Sequence, residues 1–292
     1  MALLEVDNLH THFATAEGVA RAVDGVSFSI AEGQSLALVG ESACGKTVTA
    51  LSLLRLIRAP GYHPAGSIGF EGQELLGLPE DELRRLRGNR MAMIFQEPLT
   101  ALNPVFTVAN QVTEPLMLHQ GLSSGQAWSQ CRDLLGQMGI AAPEVVLESY
   151  PHQLSGGMRQ RVMIAMAMAC RPKLMIADEP TTALDVTVQA QILYLLKELQ
   201  REYGMSLLLI THDLGIVNQV CERTCVMYAG RIAESAGTAD LLAQPCHPYS
   251  ERLLRSLPRD VPRGQRLQVI PGTVAPATSY EPGCRFAPRC SQ

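Results

Sequence analysis

The chain has 292 residues, of which 47% are hydrophobic and 18% charged, so it is long and apolar enough to bury a sizeable core. Its formal net charge of -4 argues against a protein that wraps nucleic acid, and we expect no nucleic-acid partner. No apolar run reaches the roughly 18–20 residues of a membrane-spanning helix. The first residues lack the order of charged and then apolar residues typical of a signal peptide, so we expect neither insertion nor secretion.

Short apolar runs spread along the chain predict buried parallel strands at 35–39, 91–95, 174–177 and 206–210. Helical patterns separate these runs, so we predict an α/β fold with a mostly parallel sheet. Alternating residues at 19–30 and 67–70 predict a smaller antiparallel sheet near the N-terminus. A hairpin is expected to turn at Ala229-Gly230.

The strand pattern is interrupted between Gln96 and Leu154, where residues 97–154 predict an all-helical insertion with helices at about 108–119 and 127–139. Its apolar positions are expected to be core rather than interface: Val108, Val112, Leu116 and Leu118. We predict one domain over residues 1–245. After about Pro245 the composition shifts to Pro, Arg and Gly, which predicts a loosely structured extension over 246–292.

A candidate phosphate-binding loop lies between a predicted strand and a helix expected at 48–56: Gly40, Glu41, Ser42, Ala43, Cys44, Gly45, Lys46 and Thr47. It fits the pattern G-x-x-x-x-G-K-[ST], in which backbone N–H groups wrap the phosphates at the start of a helix. Lys46 is expected to neutralise phosphate oxygens, and the Thr47 hydroxyl to bind magnesium. Ala43 stands where many such loops carry a further glycine, and its methyl group is expected to narrow the loop. A chance match in a turn is the alternative.

Two acids, Asp178 and Glu179, directly follow a predicted buried strand. Ligands of parallel sheets bind at the carboxyl ends of the strands. We expect Asp178 to hold magnesium and Glu179 to polarise the attacking water as a general base. The alternative is a pair of capping acids in a surface turn, and it is disfavoured because the same sequence also contains the phosphate-loop motif.

A third motif runs from Tyr150 to Arg161 and contains Ser155, Gly156, Gly157 and Gln160. Ser155 is a favourable N-cap for a helix that we expect to reach about Cys170. This stretch resembles the signature motif of the ATP-binding cassette ATPases, and the resemblance extends over about residues 3–235. It implies a P-loop NTPase fold of that type, with an N-terminal antiparallel β-subdomain and a helical insertion.

The resemblance also implies roles for isolated residues. Phe13 resembles the aromatic residue that stacks on adenine, and Gln96 the glutamine that links the insertion to the site and its magnesium. Asp185 falls in a loop, 182–185, that resembles the dimer-contact loop, and His212 resembles the switch histidine. Taken alone, Phe13 is more typical of a core or strand residue and His212 of a structural histidine, so their order along the chain carries the interpretation.

Family members bind two ATP molecules between two head-to-tail cassettes. The resemblance therefore implies that Ser155, Gly156, Gly157 and Gln160 act in trans on the ATP held by a partner's phosphate loop. ATP closes the pair, and hydrolysis by Glu179, with His212 positioning the phosphate, reopens it.

Several stretches resemble the ATPases of dipeptide and oligopeptide importers: 95–107, 150–154, 177–190 and 247–249, with the C-terminal stretches 271–276 and 283–290. That resemblance implies a second ATPase subunit of a different chain, two membrane permease subunits and an extracytoplasmic peptide-binding protein. It also implies a place at the cytoplasmic face of the bacterial inner membrane. The same role in a nickel, opine or antimicrobial-peptide transporter is the alternative.

Two unrelated classes fit less well. Soluble cassette ATPases that act on ribosomes or DNA carry two cassettes or a long coiled coil, and neither pattern is found in this sequence. A non-catalytic regulatory module is disfavoured by the presence of both Glu179 and His212.

Eight cysteines are too sparse for a disulfide scaffold, and we expect inert thiols at Cys44, Cys131, Cys170, Cys221, Cys225 and Cys246. In the importer ATPases that the extension resembles, residues matching Cys284 and Cys290 are followed by two further cysteines, and the resemblance implies that the four can hold a four-iron four-sulfur cluster. Half of that ligand set is missing before Gln292, so we expect a truncated chain. Two free cysteines on a flexible end are the alternative.

Overall fold

The computed structural model describes residues 2–97, 101–182, 184–256 and 269–291. The chain divides into two compact units, one comprising Met1–Leu78 with Leu208–Gln292 and the other Pro79–Leu207. Both contain strands and helices, which confirms the predicted α/β class. Among the described residues, no helix has the length and apolar character required to cross a bilayer.

The described strands are β1 (Ala2–Thr15), β2 (Gly18–Ala31), β3 (Ser35–Val39), β4 (Gly61–Tyr62), β5 (Ser67–Phe70), β6 (Gln73–Glu74), β7 (Met91–Ile94), β8 (Leu174–Asp178), β9 (Ser206–Thr211), β10 (Arg223–Tyr228) and β11 (Arg231–Gly237). The described α-helices are α1 (Lys46–Leu53), α2 (Glu80–Leu86), α3 (Val108–Gln120), α4 (Ser124–Gln137), α5 (Pro143–Glu148), α6 (Gly156–Met168), α7 (Val186–Tyr203), α8 (Leu214–Val220), α9 (Thr238–Ala243) and α10 (Pro248–Arg255).

The first unit contains the predicted antiparallel sheet, in the order β2-β1-β5-β6 with β4 paired to β1. Val6 lies opposite Phe28 on one side and Ile68 on the other, and all three are buried. Strand β1 was not predicted from the sequence. Its register shifts between Val6 and Leu9 and again after Thr11, so its apolar residues do not keep the strict alternation that marks a strand.

The same unit contains the strand that leads into the phosphate loop. β3 lies between β10 and β9, and β10 runs parallel to it with Arg223 opposite Leu36. Every residue of β3 is buried, as expected for a strand covered on both faces. β10 and β11 form the predicted hairpin, and both turn residues, Ala229 and Gly230, have the positive φ that a tight hairpin turn requires.

In the second unit, β7 and β8 pair in parallel, from Met91 opposite Leu174 to Ile94 opposite Ala177. β8 extends one residue further than predicted, so that Asp178 is the last residue of the strand.

The insertion is helical, as predicted, although its residues 98–100 lie outside the described part of the chain. α4 begins at Ser124, earlier than expected, because Ser123 and Gln126 form a capping box. α5 was not predicted, since Pro143 suggested a loop; proline is also favoured in the first turn of a helix, where it lies here. The core prediction is confirmed for Val108, Val112 and Leu116 and is wrong for Leu118, which is 63% exposed.

The C-terminal extension is more ordered than its composition indicates. α10 carries Tyr249, which is fully buried against Tyr228 and Phe286 at ring distances of 4.6 and 5.3 Å. Phe286 contacts Tyr228 edge to face at 5.3 Å. Residues 257–268 and 292 of the predicted extension lie outside the described residues. A few aromatic anchors thus attach the extension to its unit.

Replacing Phe286 by Ala should lower the free energy of unfolding by about 3–5 kcal/mol, because the ring is 1% exposed and its loss leaves a cavity. Urea unfolding measures the change, and limited proteolysis should cleave the extension earlier. Val269→Ala is the matched control, since Val269 belongs to the same extension but is 82% exposed. Equal effects of the two substitutions would contradict the packing described here.

Candidate functional site

Two glycines permit the shape of the phosphate loop. Gly45 has a φ of 109°, and a Cβ atom there would lie 2.3 Å from the carbonyl oxygen of Ala22. At Gly40 a Cβ atom would lie 2.2 Å from the carbonyl oxygen of Met227. The Gly230 N–H also donates to the Cys44 carbonyl oxygen at 2.9 Å. The loop therefore lies directly against β2 and the β10–β11 hairpin of its own unit.

Lys46 is held inside this loop. Its Nζ donates to the carbonyl oxygens of Gly40 at 2.8 Å and Glu41 at 2.9 Å, and the residue is only 5% exposed. α1 begins at Lys46 itself, two residues before the predicted start, so the backbone N–H groups of the helix begin inside the motif. Ser42 and Thr47 are exposed. The loop thus combines a fixed ammonium group with a helix N-terminus, which together favour an anion.

Two further loop residues differ in their environments. Burial raises the pKa of the Cys44 thiol above its ordinary value, which keeps it protonated at neutral pH and agrees with the predicted inert thiol. Ala43 is exposed and has a φ of 62°, a conformation that costs an L-residue roughly 1–2 kcal/mol. Alanine in place of the usual glycine at position 43 therefore strains the backbone of the loop.

The second unit holds the acids. Asp178 ends β8 and is 1% exposed, whereas Glu179 is half-buried and has a φ of 45°. Oε2 of Glu179 accepts hydrogen bonds from Nε2 of Gln96 at 3.1 Å and from Oγ1 of Thr182 at 2.8 Å. These donors orient the carboxylate. Thr182 was predicted only as part of a dimer-contact loop; its spacing of three residues from Glu179 in a turn was the signal available.

The signature residues surround a helix N-terminus. Ser155 caps α6 as predicted, because its side chain accepts from the Met158 N–H at 3.3 Å, and the helix ends two residues before Cys170. Ser155 and Gly156 are exposed and Gly157 is half-buried. A Cβ atom at Gly157 would lie 3.1 Å from Val188 of α7, so this helix start packs closely against its neighbour.

Two other predicted residues of the second unit differ from Ser155: one is buried, and the other caps a helix. Gln160 is 1% exposed, unlike Ser155, and its action on a partner's nucleotide stays a prediction. Asp185 is exposed and caps α7 by accepting from the Val188 N–H at 3.0 Å. Ala183, in the predicted dimer-contact loop, lies outside the described residues.

In the first unit, His212 follows β9 and is exposed, and Asp213 caps α8 through the Gly215 N–H at 2.7 Å. His212 lines a cavity of about 560 Å³ together with Gly40, Glu41 and Ser42, so the predicted histidine lies beside the start of the phosphate loop. Phe13 is half-buried on β1, between Ala20 and Gly61 of the neighbouring strands. Its stacking on adenine stays a prediction.

Two cysteines of the extension, Cys284 and Cys290, are the predicted cluster ligands. A four-iron cluster requires four thiolates. Cys284 is exposed and Cys290 half-buried, and of the other described thiols only Cys246 is exposed. The one group of three metal-ligating residues in the described ranges is His10, His12 and Asp24, which contains no cysteine. The cluster that the resemblance implied stays a prediction for Cys284 and Cys290.

In the group of His10, His12 and Asp24, the Asp24 carboxylate is already paired with arginine side chains. The Asp24 carboxylate contacts Arg231 at 3.2 Å and also pairs with Arg285, whose side chain is 5% exposed. Although burial opposes ionisation, Arg285 and Arg231 hold the pKa of Asp24 at about 2. The group is therefore explained as a buried salt-bridge network of the fold.

Comparison with known proteins defines the class. Residues 23–182 match the ABC transporter family. A dimeric ATP-binding cassette in a post-hydrolysis state, bound to ADP and Pi, has a TM-score of 0.73 at 27% identity; the match covers 80% of this chain and 98% of that one. The chain belongs to the ABC transporter family, and as such it binds and hydrolyses ATP.

Within that family the chain is similar to peptide-transport ATPases, and residues 233–292 match the oligopeptide/dipeptide transporter C-terminal region. A probable peptide ABC transporter ATP-binding protein of Sinorhizobium fredii is 51% identical over 290 residues, 99% of this chain and 87% of the relative. The oligopeptide transport ATP-binding protein AppD of Bacillus subtilis is 48% identical over 289 residues, 99% and 88% of the two chains. The dipeptide transport ATP-binding protein DppD of Escherichia coli is 49% identical over 290 residues, 99% and 89%.

Replacing Ala43 by Gly should raise the free energy of unfolding by about 0.5–1 kcal/mol, because glycine adopts a φ of 62° without strain. Thermal unfolding measures the gain. Ala141→Gly is the control: Ala141 is also exposed in a loop but is absent from the positive-φ residues, so there glycine should lower stability. A loss of stability at both positions would contradict the strain assigned to Ala43.

Proposed function

We propose that this chain is the ATP-hydrolysing subunit that powers import of dipeptides or oligopeptides through separate membrane permease subunits. The observation that carries the proposal is the 48–51% identity to peptide-transport ATP-binding proteins over 99% of the chain. The match of residues 233–292 to the oligopeptide/dipeptide transporter C-terminal region supports peptide cargo over the nickel, opine and antimicrobial-peptide alternatives.

The phosphate loop binds the ATP triphosphate in this proposal. Lys46 and the backbone N–H groups at the start of α1 neutralise and position the β- and γ-phosphates, and Phe13 stacks on adenine. The hydroxyl of Thr47 and the carboxylate of Asp178 are hard oxygen ligands of the kind that magnesium prefers, and the Gln96 amide oxygen is a third. Bound magnesium would neutralise charge that develops on the phosphate oxygens.

Glu179 acts as the general base for hydrolysis. Its carboxylate accepts a proton from the attacking water as the bond from that water to the γ-phosphorus forms and the bond to the ADP oxygen breaks. The hydrogen bonds from Gln96 and Thr182 support this role because they fix the carboxylate. His212 positions the γ-phosphate.

We propose that two cassettes act as a head-to-tail pair, with Ser155, Gly156 and Gly157 of one reaching the nucleotide of the other. The exposure of Ser155 and Gly156 at the N-terminus of α6 supports this arrangement, because the N-terminus of a helix favours an anion. The structural relative with ADP and Pi is itself dimeric. The buried Gln160 acts on the same nucleotide from behind the exposed N-terminus of α6. The exposed Asp185 contacts the partner cassette.

The proposed partners are a second, different ATPase subunit, two integral membrane permease subunits and an extracytoplasmic peptide-binding protein. The chain is then a peripheral protein on the cytoplasmic face of the bacterial inner membrane. The relatives' role in peptide transport supports this assembly. Co-expression with permease subunits of a peptide importer from the same organism should give a complex whose ATPase rate rises with a peptide-loaded binding protein. Stimulation by nickel or an opine instead would assign the cargo to the alternative.

Replacing Glu179 by Gln should leave ATP affinity within about twofold and lower the hydrolysis rate at least about a hundredfold, because a general base contributes about 10²–10⁴ to the rate. Calorimetry measures ATP binding, and phosphate release measures hydrolysis. Gel filtration with ATP should show a trapped dimer.

Glu198→Gln is the matched control, because it makes the same chemical change at a residue of α7 that pairs with Arg201. Its hydrolysis rate should equal that of the unmodified chain. Full turnover by the Glu179→Gln homodimer would remove the role assigned to Glu179.

A further inference from the structure

The C-terminal extension reaches back to the phosphate loop through a buried arginine. Nη1 and Nη2 of Arg289 donate to the two carboxylate oxygens of Glu41 at 2.8 and 3.1 Å. The arginine side chain is 5% exposed and that of Glu41 is 30% exposed. A two-pronged pair of this kind fixes both position and orientation, which a single charge contact does not.

Further bonds hold the arginine rigidly. Its Nε donates to the Pro271 carbonyl oxygen at 2.8 Å, and Nη2 donates to that of Ile270 at 3.3 Å. Nη1 also donates to the Tyr228 hydroxyl at 3.3 Å. These acceptors are neutral, whereas the Glu41 carboxylate carries the charge that pairs with the guanidinium group. The hydrogen bonds to Glu41 accordingly raise the pKa of Arg289 above its ordinary value.

Glu41 is held on its backbone as well. Its N–H donates to the buried Tyr249 hydroxyl at 3.0 Å, and its carbonyl oxygen accepts from Lys46 Nζ at 2.9 Å. The extension therefore fixes Glu41 through Arg289 and through Tyr249, and Glu41 in turn is bonded to the lysine of the phosphate loop. Arg289 also lines the cavity of about 560 Å³ beside Ser42 and His212.

We propose that Arg289 is a positioning residue of the ATP site, which holds Glu41 in the phosphate loop and cancels its negative charge next to the bound triphosphate. The inference rests on the proposed binding of ATP by residues 40–47. A carboxylate in a loop that wraps phosphates repels them unless a cation compensates it, and a partly buried pair is weakly screened by salt. The compensating cation lies 248 residues away, in the extension.

Replacing Arg289 by Gln should raise the Kd for ATP about tenfold or more, as expected for one uncompensated charge near a polyphosphate, and should raise the Kd for ADP less. The double variant Glu41→Gln with Arg289→Gln should bind ATP within about twofold of the Glu41→Gln variant, since no charge is then left without its partner. Both Kd values are measured by calorimetry on the full chain. A structural loss alone would weaken ATP and ADP equally and would persist in the double variant.

Arg285→Gln is the matched control. Arg285 belongs to the same extension and is equally buried at 5%, but it pairs with Asp24, which lies outside the loop. Its ATP affinity should stay within about twofold of the unmodified chain. An equal loss of ATP affinity in both arginine variants would overturn the proposal. The weaker binding would then result from poorer attachment of the extension and not from the charge of Glu41.

The Glu41→Gln variant tests the same proposal if Arg289→Gln does not fold, as judged by thermal unfolding. It leaves Arg289 without its counter-charge near the phosphates and should tighten ATP binding about twofold to fivefold. Weaker binding would overturn the proposal. The Lys46→Ala variant separates the proposed ATP site from the proposed role of Arg289. If Lys46→Ala leaves ATP affinity unchanged, the proposed binding site is refuted. If Lys46→Ala lowers ATP affinity but Arg289→Gln leaves it unchanged, only the role of Arg289 is refuted.

Discussion

The close approach of the phosphate loop to carbonyl oxygens of β2 and β10 is the constraint on which the first unit depends. Neither Gly40 nor Gly45 tolerates a Cβ atom, because Met227 and Ala22 would lie within 2.3 Å of it. The loop, the antiparallel sheet and the hairpin are thereby fixed in one piece. The proposed adenine-stacking residue Phe13 and the proposed phosphate ligand Lys46 are thus held on one rigid frame, as a preorganised site requires.

In the second unit, single side chains serve the fold and the proposed chemistry together. Ser155 and Asp185 each cap a helix, and each also belongs to a motif with a proposed contact to a partner cassette. An N-cap contributes about 0.5–2 kcal/mol to stability. Substitutions at these positions therefore change folding and dimer contact at once, and only a measurement of both separates the two effects.

Local patterns were sufficient where the chemistry is local. The buried strands, the phosphate loop, the Ser155 cap and the turn at Ala229-Gly230 all follow from neighbouring residues, and the structure contains each of them. β1 was missed because its register shifts hide the alternation, and α5 because Pro143 is compatible with a loop as well as with a first turn.

The remaining features depend on contacts between distant parts of the chain. The order of the extension comes from Phe286 and Tyr249 packing on Tyr228, and the environment of Glu41 comes from Arg289, 248 residues further on. No short-range pattern contains that information. A composition rich in Pro, Arg and Gly indicated a loose tail because such a pattern does not register single buried anchors. Gln96 was assigned to the site only through the family resemblance, and its hydrogen bond to Glu179, across 83 residues, was not predicted.

In the proposed ATP site, the hydrogen bonds of Lys46 to the carbonyl oxygens of Gly40 and Glu41 must be exchanged for bonds to phosphate when the nucleotide binds. A phosphate group that takes the ammonium must replace acceptors that the loop already supplies, so only the difference between the two sets of bonds contributes to affinity. In the proposed ATP site, this replacement lowers the net affinity that Lys46 contributes, which makes binding more readily reversible. Reversible occupancy of this kind is what a motor subunit needs in order to cycle.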